Sequence, residues 1–283
     1  MKLPVIVLAR NGLHKELGKQ TLLVDSKGIA TNADSSNPLS KKLAGHILSL
    51  VPHGACSARP SGQSLGSQME KAVHTFVQSA FLELGELRPG RWSVRSGAAI
   101  SEFEQYQHLT HLEAILDKAP ELRSSLGSDY IIKPDVVVAR EPEDDKSINR
   151  RKAIVGTKFA QLASLRKANS KKPAHILHAS ISCKWTIRSD RAQNSRSEAL
   201  NLIRNRKGHL PHVAVVTAEP LPSRLASLCF GTGDIDCVYH IYLDELRAAV
   251  KAIRDDSARD LLAQMIEGKR LRDISDLPFD LAV

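Results

Sequence analysis

A chain of 283 residues, 42% hydrophobic and 25% charged, has the proportions of an ordinary globular protein and is long enough to bury a core, which excludes a fibrous or disordered class. Lys plus Arg outnumber Asp plus Glu by 40 to 31, and the resulting +9 suits an anionic partner such as nucleic acid. No apolar run is long enough to span a bilayer, and the four cysteines lack the CxxC spacing of a zinc site, so Cys56, Cys183, Cys229 and Cys237 read as free thiols in a reducing compartment.

The start MKLPVIVLARNG has a short apolar run without a small-residue cleavage signature, which predicts no secretory leader and a cytoplasmic protein. Residues 26–40, rich in Ser, Asn, Asp and Gly, predict an exposed loop, either plain surface or a binding loop, that leads into a helix from about Ser40 to Val51. A second irregular connection runs from Pro52 to Gly66. Beyond it Met69, Val73, Phe76, Val77, Ala80 and Phe81 recur at helical spacing, predicting an amphipathic helix to about Leu84 with Glu70 beside its apolar stripe.

Trp92 to Arg95 reads as a strand and Glu102 to Lys118 as a helix. The β-branched run from Tyr130 to Val138 predicts a strand with an irregularity at Pro134. A solvated, densely charged loop is expected over 140–151, and a helix near Lys158 to Ala168. Ala174 to Trp185 reads as the central strand. Its alternation places Ser180, Ser182 and Lys184 on one face and Ala179, Ile181, Cys183 and Trp185 on the other.

A helix follows from about Ser189 to Arg206 and stops near Gly208, with Ala192, Ala199, Leu202 and Ile203 on its buried side. It opens with Arg188, Asp190 and Arg191, although a helix N-terminus disfavours cations; an anionic or guanine-like partner would offset that placement. Val213 to Ala218 and Cys237 to Tyr242 read as strands separated by a loop that carries Arg224. Two helices, Leu243 to Ile253 and Arg259 to Ile266, close the chain. Alternating strands and helices without a linker predict one α/β domain over 1–283, a central mixed β-sheet flanked by helices.

Phosphodiester hydrolysis needs carboxylates for one or two divalent ions and a cation near the developing negative charge. Asp135 after Pro134 and Lys184 at a strand end supply two of those parts, but the usual acid slot two residues before the lysine holds Ser182. Glu198 on the following helix could deliver the missing carboxylate from another direction. Bland readings stand beside this one: Asp135 capping a bend, Lys184 snorkelling, and Glu198 as a solvated helix residue. Glu198 has no cation three or four residues away to pair with along its helix. The segment Gly231-Thr232-Gly233-Asp234 lacks the spacing of a phosphate loop and reads as a turn, and the pairs His108/His111 and His209/His212 lack the remaining ligands of a zinc site.

With Ser182-Cys183-Lys184 followed by Arg188-Ser189-Asp190-Arg191 and Glu198, the sequence resembles type II restriction endonucleases of the PD-(D/E)xK superfamily whose sites share a CCGG core. The likeness is carried by SDYIIKPDVVVAR, by HASISCKWTIRSDRAQNSRSEALNLIRNRKGHLPHVAVVTAEPLPSR, by GTGDIDCVYH and GKRLRDISDLPFDLAV, and by the loop TNADSSN and the helix around Glu70, roughly two-thirds of the chain. A displaced acid is characteristic of that group. The resemblance implies a restriction-endonuclease fold and a Mg²⁺ site of Asp135, Glu198 and the Cys183 backbone carbonyl, with Lys184 catalytic, Ser182 in the displaced-acid slot and Glu70 accessory.

It further implies that Arg188, Asp190 and Arg191 read the inner CCGG pairs, as arginine forks onto guanine and aspartate accepts from cytosine. Asp34, Ser36 and Arg224 match positions that read an outer G·C pair. The implied site is 5′-GCCGGC-3′ in double-stranded DNA, cut after the first G to leave a 5′ CCGG overhang. The implied assembly is a homotetramer, two primary dimers back to back, that cleaves two bound sites in concert. The rival expectation is a DNA-binding protein of the same fold without cleavage; the joint presence of Asp135, Lys184 and Glu198 favours the enzyme.

Overall fold

The computed structural model describes residues 3–119, 121–122, 124, 132–167, 173–231 and 233–283, with only the backbone of 189 and 191. In chain order the elements are α1 Val5–Gln20, β1 Leu23–Val24, α2 Pro38–Leu50, β2 Gly54–Ala55, α3 Gly62–Phe81, β3 Trp92–Ser96, α4 Gln107–Leu116, β4 Val136–Arg140, α5 Asp145–Ile148 and β5 Ile176–Lys184. They continue with α6 Ser189–Asn205, β6 His212–Thr217, α7 Pro222–Cys229, β7 Cys237–His240, α8 Leu243–Ile253, α9 Asp256–Glu267, β8 Leu271–Asp273 and α10 Leu277–Asp280. Six strands form one mixed sheet in the order β3-β4-β5-β6-β7-β8. The β3/β4 and β4/β5 pairings are antiparallel and the remaining three parallel, so the architecture is the expected mixed α/β sheet flanked by helices.

Helix starts follow local chemistry. The Asn37 side chain accepts the Ser40 N–H ahead of Pro38 in α2, Ser61 accepts the Ser64 N–H of α3, and Asp255 accepts the Ala258 N–H of α9. Leu65, Met69, Ala72, Val73, Phe76, Val77 and Ala80 form the buried stripe of α3, which is joined to the sheet in a core running from Leu13 to Leu281. In β5 every residue from Leu177 to Cys183 is buried, as befits a strand covered on both faces; Lys184 at its end is partly exposed.

Several expectations are corrected. Residues 158–167 form turns, bends and an isolated bridge from Arg166 to Glu143 rather than a helix, and Ala168 at the end of the expected helix lies outside the described residues. Phe159 and Leu162 are 74% and 98% exposed, so a helix there would have no core to bury against. The buried Arg166 organises the segment instead: its Nε and Nη2 donate to the two Asp145 carboxylate oxygens at 2.6 Å each, Nη1 to the Phe159 carbonyl and Nη2 to that of Gly156. The expected charged loop after β4 contains the single turn α5, capped by Asp144. Arg224 sits in α7 rather than in a loop, because Pro222 starts a helix whose Leu225, Leu228 and Cys229 are buried.

The helix expected from Glu102 is two short 3₁₀ turns before α4, and the third helix starts at Gly62, inside the stretch expected to be irregular. Of the run expected as a strand, residues 130–131 lie outside the described set, and Pro134 and Asp135 precede β4 rather than belonging to it. The sequence reading did not foresee α1, the pair β1/β2, the edge strand β8 or the terminal helix α10.

Candidate functional site

β4 and β5 run antiparallel with Val136 opposite Ile181, so continuing the register by one residue sets Asp135 beside Ser182, on the face shared with Lys184. Asp135 Oδ2 accepts the Cys183 N–H at 2.6 Å and lies 3.5 Å from Lys184 Nζ. A strand residue directs its N–H and C=O to the same side, so the Cys183 carbonyl belongs to the same edge as Asp135. The Cys183 thiol is buried and pushed well up, first by that burial and then by the Asp135 charge, so it is no nucleophile at neutral pH.

Glu198 comes from α6, whose buried side is Ala192, Ser195, Ala199 and Leu202 with Ile203 half-buried; Glu198 flanks that stripe. The buried Ser182 hydroxyl donates to Glu198 Oε2 at 2.9 Å. The residue in the acid slot therefore holds the carboxylate that replaces the acid. Glu70 arrives from α3, where its carboxylate leans along the helix to within 4.0 Å of the space above Gly66. Burial raises the Glu70 pKa, the Asp135 charge raises it further, and Lys184 works the other way. Asp135, Lys184, Glu198, Ser182 and Glu70 are thus gathered at one end of β5. Among the described residues, no three His, Cys, Asp or Glu groups stand close enough to hold an ion unaided.

Next to this cluster a cleft of about 870 Å³ is lined by Asp34, Ser36, Arg188, Gln193, Arg196 and Arg224, among others. Arg188 is the exposed N-cap residue of α6 and Asp190 an exposed acid in its first turn. Arg191 lies in the same turn, with its side chain outside the described residues. Arg224 Nη2 is ion-paired with Asp34. Asp34 also accepts the Ser36 N–H at 3.0 Å and the Ser36 hydroxyl at 2.6 Å, and these bonds, more than Arg224, hold its carboxyl far below the usual range.

The loop that carries Asp34 is anchored from three sides. Ser40 accepts the Asp34 N–H at 2.9 Å, Arg59 donates to the Ala33 carbonyl at 2.8 Å, and the buried Asn32 amide donates to the Ala218 carbonyl at 3.0 Å. Sequence reasoning missed Asn32, Arg59, Arg196 and Glu219. Arg196 holds both oxygens of the buried Asp234 at 2.9 Å and donates to the Ser227 and Phe230 carbonyls. A Cβ on Gly231 would stand 2.5 Å from its Nη1, so a larger residue there would push the guanidinium off these partners. No local pattern marks these residues, because their partners are remote in the chain.

The family model described as NgoMIV restriction enzyme matches residues 13–283. Among curated proteins, the type II restriction enzyme NgoMIV of Neisseria gonorrhoeae is 49% identical over 286 aligned residues, spanning 99% of this chain and 99% of that protein.

Proposed function

Because the chain belongs to the NgoMIV restriction enzyme family, and is thus a type II restriction endonuclease acting site-specifically on double-stranded DNA, we propose that it cuts 5′-GCCGGC-3′ after the first G, leaving 5′ CCGG overhangs. The observation that carries the hydrolytic part of this reading is the Ser182–Glu198 bond beside Asp135 and Lys184, and the sequence cut rests on the likeness of the base-reading residues. That bond returns a carboxylate to the hydrolytic centre although the strand position itself is serine.

Enzymes of this class generally depend on divalent metal, and the donor set here, Asp135, Glu198 and the Cys183 carbonyl, is all hard oxygen, which suits Mg²⁺. Burial is the main cause of the raised Glu70 pKa, and the Asp135 charge adds to it, so the two carboxylates stand near enough to repel and a cation between them would offset that repulsion. With fewer than three side-chain ligands in reach among the described residues, water and a DNA phosphate oxygen would complete the shell. When bound, Mg²⁺ supplies Lewis-acid stabilisation of the developing phosphorane charge.

The chain's own groups do the rest. The Cys183 N–H fixes the Asp135 carboxylate, and Ser182 fixes that of Glu198. Lys184, half-buried and 3.5 Å from Asp135, orients the attacking water and offsets charge on the phosphate. In-line attack on phosphorus breaks the bond to the 3′ oxygen and leaves a 5′ phosphate; Glu70 assists as an accessory carboxylate. Arg188, Asp190 and Arg191 read the inner pairs from the major groove, and Asp34, Ser36 and Arg224 the outer pair.

In this reading 1–283 is a single endonuclease domain working in the cytoplasm as a homotetramer of two primary dimers that cleaves two sites in concert. Among the described residues no helix is long and apolar enough to cross a membrane. The test is incubation with Mg²⁺ and plasmids carrying none, one or two GCCGGC sites, followed by sequencing of the ends. Two-site plasmids are expected to be cut fastest, within GCCGGC. Cutting elsewhere would overturn the site, and binding without Mg²⁺-dependent cutting the hydrolytic centre.

A further inference from the structure

Glu219 and Asp234 are the buried acids among the described residues. Arg196 neutralises Asp234 at 2.9 Å, whereas Glu219 has only Arg224 Nη1 at 3.8 Å. The Glu219 carboxylate is spent on two backbone groups. Its Oε2 accepts the N–H of Ile187, the residue before Arg188, at 2.8 Å, and its Oε1 accepts the N–H of Leu221, the N-cap of α7, at 3.1 Å.

The Glu219 backbone is gripped as well. Its N–H donates to Thr217 Oγ1 at 3.2 Å, and its carbonyl accepts from His240 Nε2 at 3.0 Å. The other His240 nitrogen accepts the Tyr242 N–H at 3.0 Å, and burial pushes His240 down to about 4, so a neutral ring with its proton on Nε2 satisfies both bonds. One held carboxylate thus joins the start of α6 to the start of α7, and through Arg224 it reaches Asp34.

Resting on the reading of Arg188 and Arg224 as base-reading side chains, we propose that Glu219 is a positioning residue for DNA recognition, its two oxygens setting the spacing between the turn that reads the inner pairs and the helix that reads the outer pair. Only an ionised carboxylate accepts fully on both oxygens; a glutamine offers one acceptor and one donor, and would turn an N–H against an N–H. Burial pushes Glu219 up to about 7, against the pull of the two N–H groups and Arg224, so the fully accepting form is populated toward pH 7 and above. The charged and titratable groups facing it are Arg224 from α7, Asp34 from the loop before α2, and His240 from β7.

The experiment compares wild type with Glu219→Gln on cognate duplexes and on duplexes changed at one inner or one outer pair, with Mg²⁺, from about pH 6 to about pH 8.5. The variant keeps the shape of the side chain, and a thermal melt beside each assay establishes that it is folded. Expected are a roughly tenfold fall in discrimination at inner and outer positions alike, equivalent to about 1.4 kcal/mol, and a raised KM with kcat on cognate DNA within about threefold of wild type. Wild-type discrimination rises with pH through about 7, while that of the variant stays flat. Unchanged discrimination with the same pH slope overturns the proposal. So does parallel loss of kcat and thermal stability without a change in discrimination, which would make Glu219 purely structural. If the wild type cuts a different sequence, the GCCGGC reading fails, and the same comparison at that sequence still decides Glu219; if it binds without cutting, Kd ratios replace the rates.

Discussion

Ser182→Ala removes one hydrogen bond and nothing else from the proposed hydrolytic centre. In the wild type the Ser182 hydroxyl donates to Glu198 Oε2 at 2.9 Å, a bond to a charged acceptor worth about 1.5 to 3 kcal/mol. If that whole contribution reaches the transition state, cleavage slows from about tenfold to about 150-fold. The folded state loses far less. Ser182 is 7% exposed and alanine leaves no polar atom unsatisfied, while the half-buried Glu198 retains access to water, so Tm should fall by less than the roughly 3 to 12 °C that loss of the whole bond would cost. Single-turnover cleavage of a two-site plasmid, read beside a thermal melt, separates the two effects. In a double-mutant cycle, adding Ser182→Ala to Glu198→Gln should cost nothing further, because the hydroxyl acts through the carboxylate. Wild-type cleavage by Ser182→Ala would refute the displaced-acid assignment, and additive losses would show that Ser182 acts by another route.

Asp135→Ala is expected to abolish cleavage while sparing sequence-specific binding; a variant that cuts at the wild-type rate in a plasmid assay would remove Asp135 from the site. Arg191→Ala should weaken discrimination by about 1 to 3 kcal/mol for each guanine that the side chain no longer bonds, and relative cleavage of sites altered at one inner pair is the measure. Arg196→Ala strands the buried Asp234 carboxylate, and since Arg196 is itself 26% exposed the cost should fall near the lower end for a broken buried pair, about 3 kcal/mol; an unchanged urea midpoint would contradict it. Glu219 makes stability depend on pH with a definite sign. Its carboxyl titrates near 4.5 when unfolded and about 7 when folded, so the stability it allows is complete below 4.5 and is lost as pH rises to about 7, by about 3 kcal/mol. His178 and His240, both pushed down to about 4 by burial, oppose this by losing stability as pH falls, so the measurement is the difference between wild type and Glu219→Gln across that window. A difference that does not vary with pH would disprove the burial of an acid there.

Elements whose two faces differ were legible. The α3 stripe from Met69 to Phe81, the β5 run and the buried side of α6 repeat at the period of their geometry, and local stop signals mark their ends. The helix α1 was not, because Val5 and Leu8 at its start are about half exposed while His14 and Gly18 are buried, so no apolar period emerges. Gly18 is needed where α1 meets Pro52, whose carbonyl oxygen would stand 2.3 Å from an added Cβ. Residues 158–167 misled in the opposite way: good helix formers there are ordered by Arg166 and Asp145, 21 residues apart.

By itself the sequence determined the mixed α/β class, the strand that ends in Lys184, the helix that follows it, and Asp135 as the acid after a proline. These depend on alternation and helical period, which neighbouring residues carry. Tertiary structure alone decided that Asp135 stands beside Ser182, that Glu198 is held by that serine, and that Glu219 joins Ile187 to the start of α7. The reason is register. A one-residue slip between β4 and β5 would turn Asp135 to the opposite face from Lys184, and nothing local to either strand sets that pairing. The bonds that build the cleft beside Arg188 and Arg224 likewise span 32 residues from Glu219 to Ile187 and 186 from Asn32 to Ala218, separations over which spacing in the chain says nothing about distance in space.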